Sequence, residues 1–303
     1  MSKIINNIIA FFLPYVPKAI IRAFANKYIA GTSINESINV IKKINKLKFK
    51  ATLDILGEHT TNISESRKTT NEYIQLIKEI SKNNLDCNIS LKLSHVGLDI
   101  NNKTMNENID SIFDVAIKNN NFIRLDMENH KTTDNNIKAF SRMKRRDNRV
   151  GIVFQAYLHR TYEDITNLDD NSNIRLCKGI YIEPKNISIK DHNEINKNFI
   201  KVLKLAFEKN IFVGIATHDE ILVEQCLELI KSLDISSNLF EFQALYGVPI
   251  TNILNKINTQ KYNMRIYVPF GKDWYKYSMR RLKENPNISW YIINNLFRGN
   301  VYK

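Results

Sequence analysis

Cysteine, glycine and long apolar runs are all in short supply in this 303-residue chain, and each shortage closes off a class of function. The three cysteines, Cys87, Cys177 and Cys226, stand far apart with no C-x-x-C pair, so neither a disulfide framework nor a cysteine metal cluster is expected. A reducing compartment fits that usage. No run approaches the ~18 uninterrupted apolar residues that a spanning helix needs, and no A-x-A-like cleavage site points to a signal peptide. Internal repeats and low-complexity linkers are missing too. A glycine-rich turn after the first strand would announce a doubly wound dinucleotide fold, and "LDILGEHT" (53–60) holds one glycine.

Acid is missing from the first 35 residues, while the whole chain carries 44 Lys and Arg against 31 Asp and Glu, a formal net charge of +13. Such an excess suits an anionic lipid surface, an acidic substrate or nucleic acid, and it also arises from lysine-rich solvated helix faces. The cluster "RMKRRDNR" (142–149) lacks interleaved aromatics and reads as a solvated helix face, so no nucleic-acid partner is expected. The N-terminal stretch is apolar with basic punctuation and is broken by Pro14 and Pro17, which predicts two short amphipathic helices. They are either a packed extension or an in-plane membrane contact with Lys18, Arg22 and Lys27 near headgroups.

Eight short β-branched or apolar runs follow, at 49–56, 87–94, 122–128, 150–157, 174–181, 211–217, 239–246 and 264–270. The segments between them, such as 62–82, 105–120, 191–210 and 219–233, are long enough for helices. Eight strands each followed by a helix predict an α/β fold, the (β/α)8 TIM-type barrel. We expect a helical extension over 1–45 and a catalytic barrel over 46–303. Toward their C-terminal ends the runs reach Asp54, Lys92, Asp126, Gln155, Arg175 with Lys178, Thr217 with His218, Gln243 and Tyr267. Apolar strands ending in charged or amide side chains describe a dry barrel with a polar mouth, the end where such barrels do chemistry.

The last legible helix, "DWYKYSMRRLKENP" (273–286), sets Tyr277, Arg280, Arg281 and Glu284 at i, i+3, i+4 and i+7, one face. It follows strand eight and leans over the mouth, where paired guanidiniums suit a carboxylate. Lys92 adds a third cation, and Glu284 is placed to hold an arginine or Lys92. Five histidines, His59, His95, His130, His159 and His218, lie at or past strand ends, but strand one has no H-x-H pair and no two stand at chelating spacing, so no metal is expected. Cys177 has no evident base, and nothing singles out Lys92 or Lys178 for Schiff-base chemistry. An organic cofactor remains, with the protein supplying position and electrostatics. Composition and spacing reach a barrel, an anion pocket and a cofactor, and stop there.

The strand-end motifs resemble those of the proline dehydrogenase family, above all "RLCKGIY" (175–181), "ATHDE" (216–220) and "RIYVPFGKDWYKYSMRRLKENP" (265–286). "ATLDILGE" (51–58), "SLKLSHVGLDI" (90–100), "RLDMEN" (124–129), "GIVFQAYLHRT" (151–161) and "FEFQALYGV" (240–248) support it, in family order from about residue 24 to 290. The resemblance, closest to the small monofunctional bacterial form, implies a distorted FAD-containing barrel. Such an enzyme oxidises L-proline to Δ1-pyrroline-5-carboxylate by hydride transfer from C5 to flavin N5 and passes the electrons to a membrane quinone. It implies that Lys92, Arg280 and Arg281 bind the substrate carboxylate, that Tyr267 and Tyr277 wall the pocket, and that Glu284 pairs with the substrate-binding lysine. Asp126 and Arg175 match the active-site acid and arginine, Arg175 beside N5. Met127, Gln155, Lys178, Gly179, Ile180, Thr217 and His218 match positions lining FAD. Ile180 and His95 depart from the family's usual alanine and amide-type residue. The expected setting is cytoplasmic, peripheral on the inner face of the cell membrane and touching anionic lipid. The alternatives at this point are a metal-dependent barrel hydrolase and a non-catalytic basic membrane-binding barrel.

Overall fold

The computed structural model describes residues 16–258, 260 and 262–284. Two helices, α1 (Lys18–Ala25) and α2 (Ile34–Lys46), lead into β1 (Lys50–Ile55), α3 (Ile63–Lys82), β2 (Cys87–Leu91), α4 (Asn102–Lys118), β3 (Ile123–Leu125) and α5 (Thr133–Lys144). The alternation continues through β4 (Val150–Gln155), α6 (Thr161–Thr166), β5 (Asn173–Cys177), α7 (His192–Glu208), β6 (Phe212–Ala216) and α8 (Glu220–Ser232). It ends with β7 (Phe240–Leu245), α9 (Thr251–Asn258), β8 (Met264–Phe270) and α10 (Trp274–Glu284). All eight strands pair in parallel and in sequence order, and β1 closes on β8 with Lys50 opposite Arg265 and Ile55 opposite Phe270. The (β/α)8 barrel expected from the alternation is therefore the fold.

Helix boundaries follow local chemistry. Asn62, Asn101, Asp191 and Asp219 each accept backbone N–H bonds from the first turn of α3, α4, α7 and α8, caps worth roughly 1 kcal/mol each. The cap at Asn101 starts α4 three residues before the 105–120 expected from its apolar periodicity, because Asn102, Lys103 and Thr104 add nothing to the apolar face. In α3 Tyr73, Leu76, Ile77 and Ile80 are buried, the i, i+3, i+4, i+7 face turned to the sheet. The cations of 142–149 lie partly on α5, and Arg142 on that helix and Arg146 just past it pair with Asp110 of α4 at 2.5 and 2.8 Å.

The expected dry interior is not what forms. Outward-facing strand residues such as Leu53, Ile89, Leu125, Ile152, Leu176 and Ile215 pack under the helices. Their alternate neighbours line the lumen, and these include Thr52, Asn88, Ser90, Arg124, Glu241 and Gln243, all buried. The strands looked apolar because an apolar half faces the helices; in β1, β2, β3, β5, β7 and β8 the inward half carries polar side chains, while β4 and β6 give it room with Gly151 and Gly214. Two of the nine glycines exist for these long side chains. A Cβ on Gly151 of β4 would stand 2.3 Å from Arg124 Nη1, and one on Gly214 of β6 would stand 2.3 Å from Gln243 Nε2.

The N-terminal helices are packed elements. Ile38, Ile41 and Ile44 of α2 join the main core, and Ile21 and Ala25 of α1 join Tyr277 and Leu282 of α10. Arg22 lies 4.5 Å over the Trp274 ring and Lys18 lies 5.3 Å over that of Tyr275. Pro14 and the first of the two expected helices lie outside the described residues. Among the described residues no helix is long and apolar enough to cross a membrane.

Candidate active site

Parallel closure brings the C-terminal ends of β1, β2, β3, β5, β7 and β8 to one rim, and a single network of charges spans it. Lys92, just past β2, donates from Nζ to both carboxylate oxygens of Asp54 on β1, at 2.9 and 2.8 Å, and stands 3.7 Å from Asp126 Oδ2. Asp126, just past β3, accepts at Oδ1 from Ser90 Oγ (2.6 Å) and Arg175 Nη1 (2.9 Å), and at Oδ2 from the Tyr267 hydroxyl (2.9 Å). Arg175 of β5 donates from Nε to Gln243 Oε1 at 2.7 Å, and its guanidinium lies 4.9 Å over the Tyr267 ring.

These contacts set the charges. Two buried carboxylates around one ammonium are driven apart in acidity. Burial raises Asp54 above the ordinary carboxylate range, with Lys92 opposing it. Burial also works against ionised Asp126, but Arg175, Lys92 and its hydrogen bonds outweigh it and hold the acid below its ordinary value. Lys92 loses solvation yet is pushed well above its ordinary value by Asp54, and so stays charged. Burial and then Asp126 keep the Tyr267 phenol protonated as a donor.

One donor in this cluster is uncommitted. Arg175 is 6% exposed, and its Nη2 has no hydrogen-bond partner among the described residues. A buried orphan guanidinium nitrogen costs on the order of 1–3 kcal/mol unless a ligand or water takes it. Beside β5, Ile180 is an apolar side chain left 38% exposed. A buried cationic donor without a partner is free to take an acceptor atom of a bound ligand and to stabilise negative charge there.

The other residues expected to line a cofactor divide into those the structure joins and those it sets apart. Gln155 donates from Nε2 to the carbonyl of Glu128 and accepts from the Ile180 backbone N–H, at 2.9 and 3.4 Å. Gly179 has φ +114° with the Tyr157 ring against its Cα, so a Cβ would meet that ring at 2.1 Å. Lys178 donates to Asp219, whose N–H in turn donates to Thr217 Oγ1 at 3.1 Å. Burial would raise Asp219, but Lys178, Asn196 and the Leu222 N–H bring it down to about 2. His218 turns to β7, its Nε2 accepting from the Leu245 N–H at 3.0 Å. Met127 is buried beside Asp126.

Tyr277 is buried in one cluster with Leu56, the residue after β1. Arg280, Arg281 and Glu284 belong to α10, but their side chains lie outside the described residues. Among the described residues the acid that hydrogen-bonds Lys92 is Asp54, a residue the strand-end pattern places at the rim without a partner. The strand-end pattern does not include Ser90, although "NISLK" (88–92) puts Asn88, Ser90 and Lys92 at i, i+2, i+4, the period that faces one side of a strand. Gln243 stood in the pattern without a role. Glu58, His59 and Glu128 are the described residues whose ligand atoms come within 4.8 Å of one another. His59 is already paired with Asp99 at 2.8 Å, and Glu128 accepts from the Ser94 N–H at 3.1 Å.

Known proteins match this chain over nearly its whole length. A family model described as proline dehydrogenase covers residues 37–291. Proline dehydrogenase 2 of Bacillus subtilis (strain 168) is 35% identical over 267 residues, 88% of this chain and 88% of its own. Proline dehydrogenase of Deinococcus radiodurans is 29% identical over 281 residues, 91% of this chain and 90% of its own. The solved structure of proline utilization A from Bdellovibrio bacteriovorus, inactivated by N-propargylglycine, superposes with a TM-score of 0.79 at 26% identity over 91% of this chain. The present chain spans 34% of that longer polypeptide.

Proposed function

The chain belongs to the proline dehydrogenase family and is an oxidoreductase acting on proline, and from that premise we propose how the barrel mouth performs the oxidation. The metal-hydrolase and non-catalytic alternatives have no support beside that membership. L-Proline is oxidised to Δ1-pyrroline-5-carboxylate, the first step of its degradation. Bound FAD would supply at N5 the acceptor for a hydride from proline C5, with a membrane quinone as the electron acceptor that follows.

The chain's own residues bind and aim. Lys92, with Arg280 and Arg281 from α10, holds the substrate carboxylate by charge-assisted bonds. Tyr267 and Tyr277 form walls of the ring pocket, and Glu284 supports one of the cations. Fixing a small ring in this way turns hydride transfer into a matter of position, where effective molarity supplies on the order of 7–11 kcal/mol. Asp126, ionised and accepting from Ser90, Arg175 and Tyr267, locks the arginine and the tyrosine in place. Arg175 would offer its uncommitted Nη2 to the flavin, where a fixed cation would favour added negative charge. Met127, Gln155, Lys178, Gly179, Ile180, Thr217 and His218 line FAD.

The uncommitted Nη2 of Arg175 carries this reading, because a buried cationic donor is otherwise unexplained beside Asp126 and Tyr267. Purified protein is expected to show a flavin absorbance band near ~450 nm that bleaches on anaerobic addition of L-proline. A colourless protein, or a band that proline leaves unchanged, contradicts it.

The quinone implies contact with a membrane. The net charge of +13 supports peripheral binding at the inner face of the cell membrane, from the cytoplasm. Flotation with anionic vesicles at low salt tests this. Protein remaining in the unbound fraction sinks the membrane part while leaving the oxidation untouched.

A further inference from the structure

The opposite end of the barrel holds a second charged cavity with no part in the chemistry above. Its volume is about 470 Å³, within the ordinary range of small-molecule sites. It lies where strands begin, with Lys50 heading β1 and Asn173 heading β5. The charged residues lining it are Lys50, Arg124 and Arg265 against Asp86 and Glu241, an excess of one positive charge.

Arg265 is accounted for, since its Nε donates to Glu241 at 2.5 Å and its Nη1 to Ala51 O and Asn88 Oδ1 at 2.7 and 3.1 Å. Arg124 is not. It is 2% exposed, and its two terminal nitrogens meet neutral acceptors: Nη1 the carbonyls of Asn173 (3.0 Å) and Ile152 (3.4 Å), Nη2 the Asn173 Oδ1 (2.6 Å). No salt bridge reaches it among the described residues, and its Nε has no hydrogen-bond partner. On the same cavity wall Asn121, 6% exposed, also has an unpartnered Oδ1. A buried charge kept without a direct ion pair is costly. Burial first, and Arg175 next, push the guanidinium well below its ordinary pKa, with Glu241 and Asp126 opposing only from a distance. Sequence nevertheless keeps the room for it, since Gly151 is where a Cβ would collide with its Nη1.

We propose that this N-terminal mouth binds a small oxyanion, a carboxylate or phosphate group, on the Arg124 guanidinium, with Lys50 adding charge at the rim. The unpartnered Nε of Arg124 and the second hydrogen of its Nη2 leave donors for either headgroup, and the surrounding asparagines leave polar room for an organic body.

The test titrates the intact protein with sodium phosphate and sodium acetate against sodium chloride, at fixed pH and ionic strength, and reads Tm, which does not depend on turnover. A saturable rise of a few degrees with phosphate, acetate or both is expected, with none from chloride, and the salt that acts identifies the headgroup. Asn173→Asp gives Arg124 a carboxylate of the same shape as its present acceptor. That variant is expected to be more stable in chloride alone, to lose the anion-dependent rise, and to keep the wild-type KM for proline. An anion held at the proline site instead would raise that KM competitively and would still act on Asn173→Asp. A wild-type Tm that phosphate and acetate move no further than chloride, or a saturable rise that persists in Asn173→Asp, overturns the proposal.

Discussion

Arg175 Nε donates to Gln243 Oε1 at 2.7 Å, and this contact fixes which way the guanidinium turns in the lumen. The amide cannot flip without loss, because its Nε2 donates to Glu241 Oε1 at 2.8 Å, and Glu241 in turn holds Arg265. Gln243 is thus a positioning residue for Arg175. Gln243→Leu is expected to lower kcat about tenfold, roughly 1.4 kcal/mol of transition-state stabilisation, with little change in KM. Gly214→Ala should have the same signature, since the added Cβ would stand 2.3 Å from the amide nitrogen. Steady-state kinetics check both. A wild-type kcat in Gln243→Leu removes Gln243 from the reaction.

Asp54 and Lys92 form a buried pair of 1% and 10% side-chain exposure. Breaking one partner of such a pair leaves a desolvated charge and typically costs about 3–5 kcal/mol. Asp54→Asn is therefore expected to lower stability by that order in a denaturant or thermal melt. Lys92→Met combined with Asp54→Asn should cost less than the sum of the two singles, because neither charge is then stranded. Strict additivity would show that the pair does not act as a unit.

His95 is buried against Gly57, where an added Cβ would stand 2.2 Å from Nε2, and it meets the Tyr73 ring edge-on. Burial, and then nearby Lys92, lower its pKa from 6.5 to about 3. The unfolded chain therefore takes up a proton near pH 6.5 that the folded chain refuses until about pH 3. Stability from this site is full above pH 6.5 and falls as pH drops toward 3, by up to about 1.4 kcal/mol per pH unit. His95→Asn is expected to flatten the stability curve across that window. An equally steep loss in the variant would assign the acid sensitivity elsewhere.

The barrel was legible because each strand carries an unbroken apolar half and each helix a regular apolar face. All eight strands fall within a few residues of where "FKATLDIL" through "MRIYVPF" place them. Rim residues were legible for the same reason: Lys92, Asp126 and Arg175 interrupt strand composition where chains of apolar residues end. What the composition concealed was the inside. Arg124, Glu241 and Arg265 sit near strand starts and read as solvated flanks, since one sequence cannot show that residues far apart in the chain meet across a lumen. The pairing of Lys92 with Asp54 was hidden likewise, because β1 and β2 must be in register before an acid and a lysine 38 positions apart come within 2.9 Å.

On the function proposed above, cations at the C-terminal mouth recognise the carboxylate of the substrate, and of Lys92, Arg280 and Arg281 it is Lys92 whose side chain is described. Pyrrolidine is proline without that carboxylate. The most direct measurement is the ratio of kcat/KM for L-proline over pyrrolidine in the wild-type enzyme and in Lys92→Met. Loss of a buried charge-assisted contact of about 2–5 kcal/mol should shrink that ratio at least ~30-fold in the variant, mainly by weakening proline. A ratio equal to that of the wild type would contradict the account, since Lys92 would then hold Asp54 and nothing of the substrate.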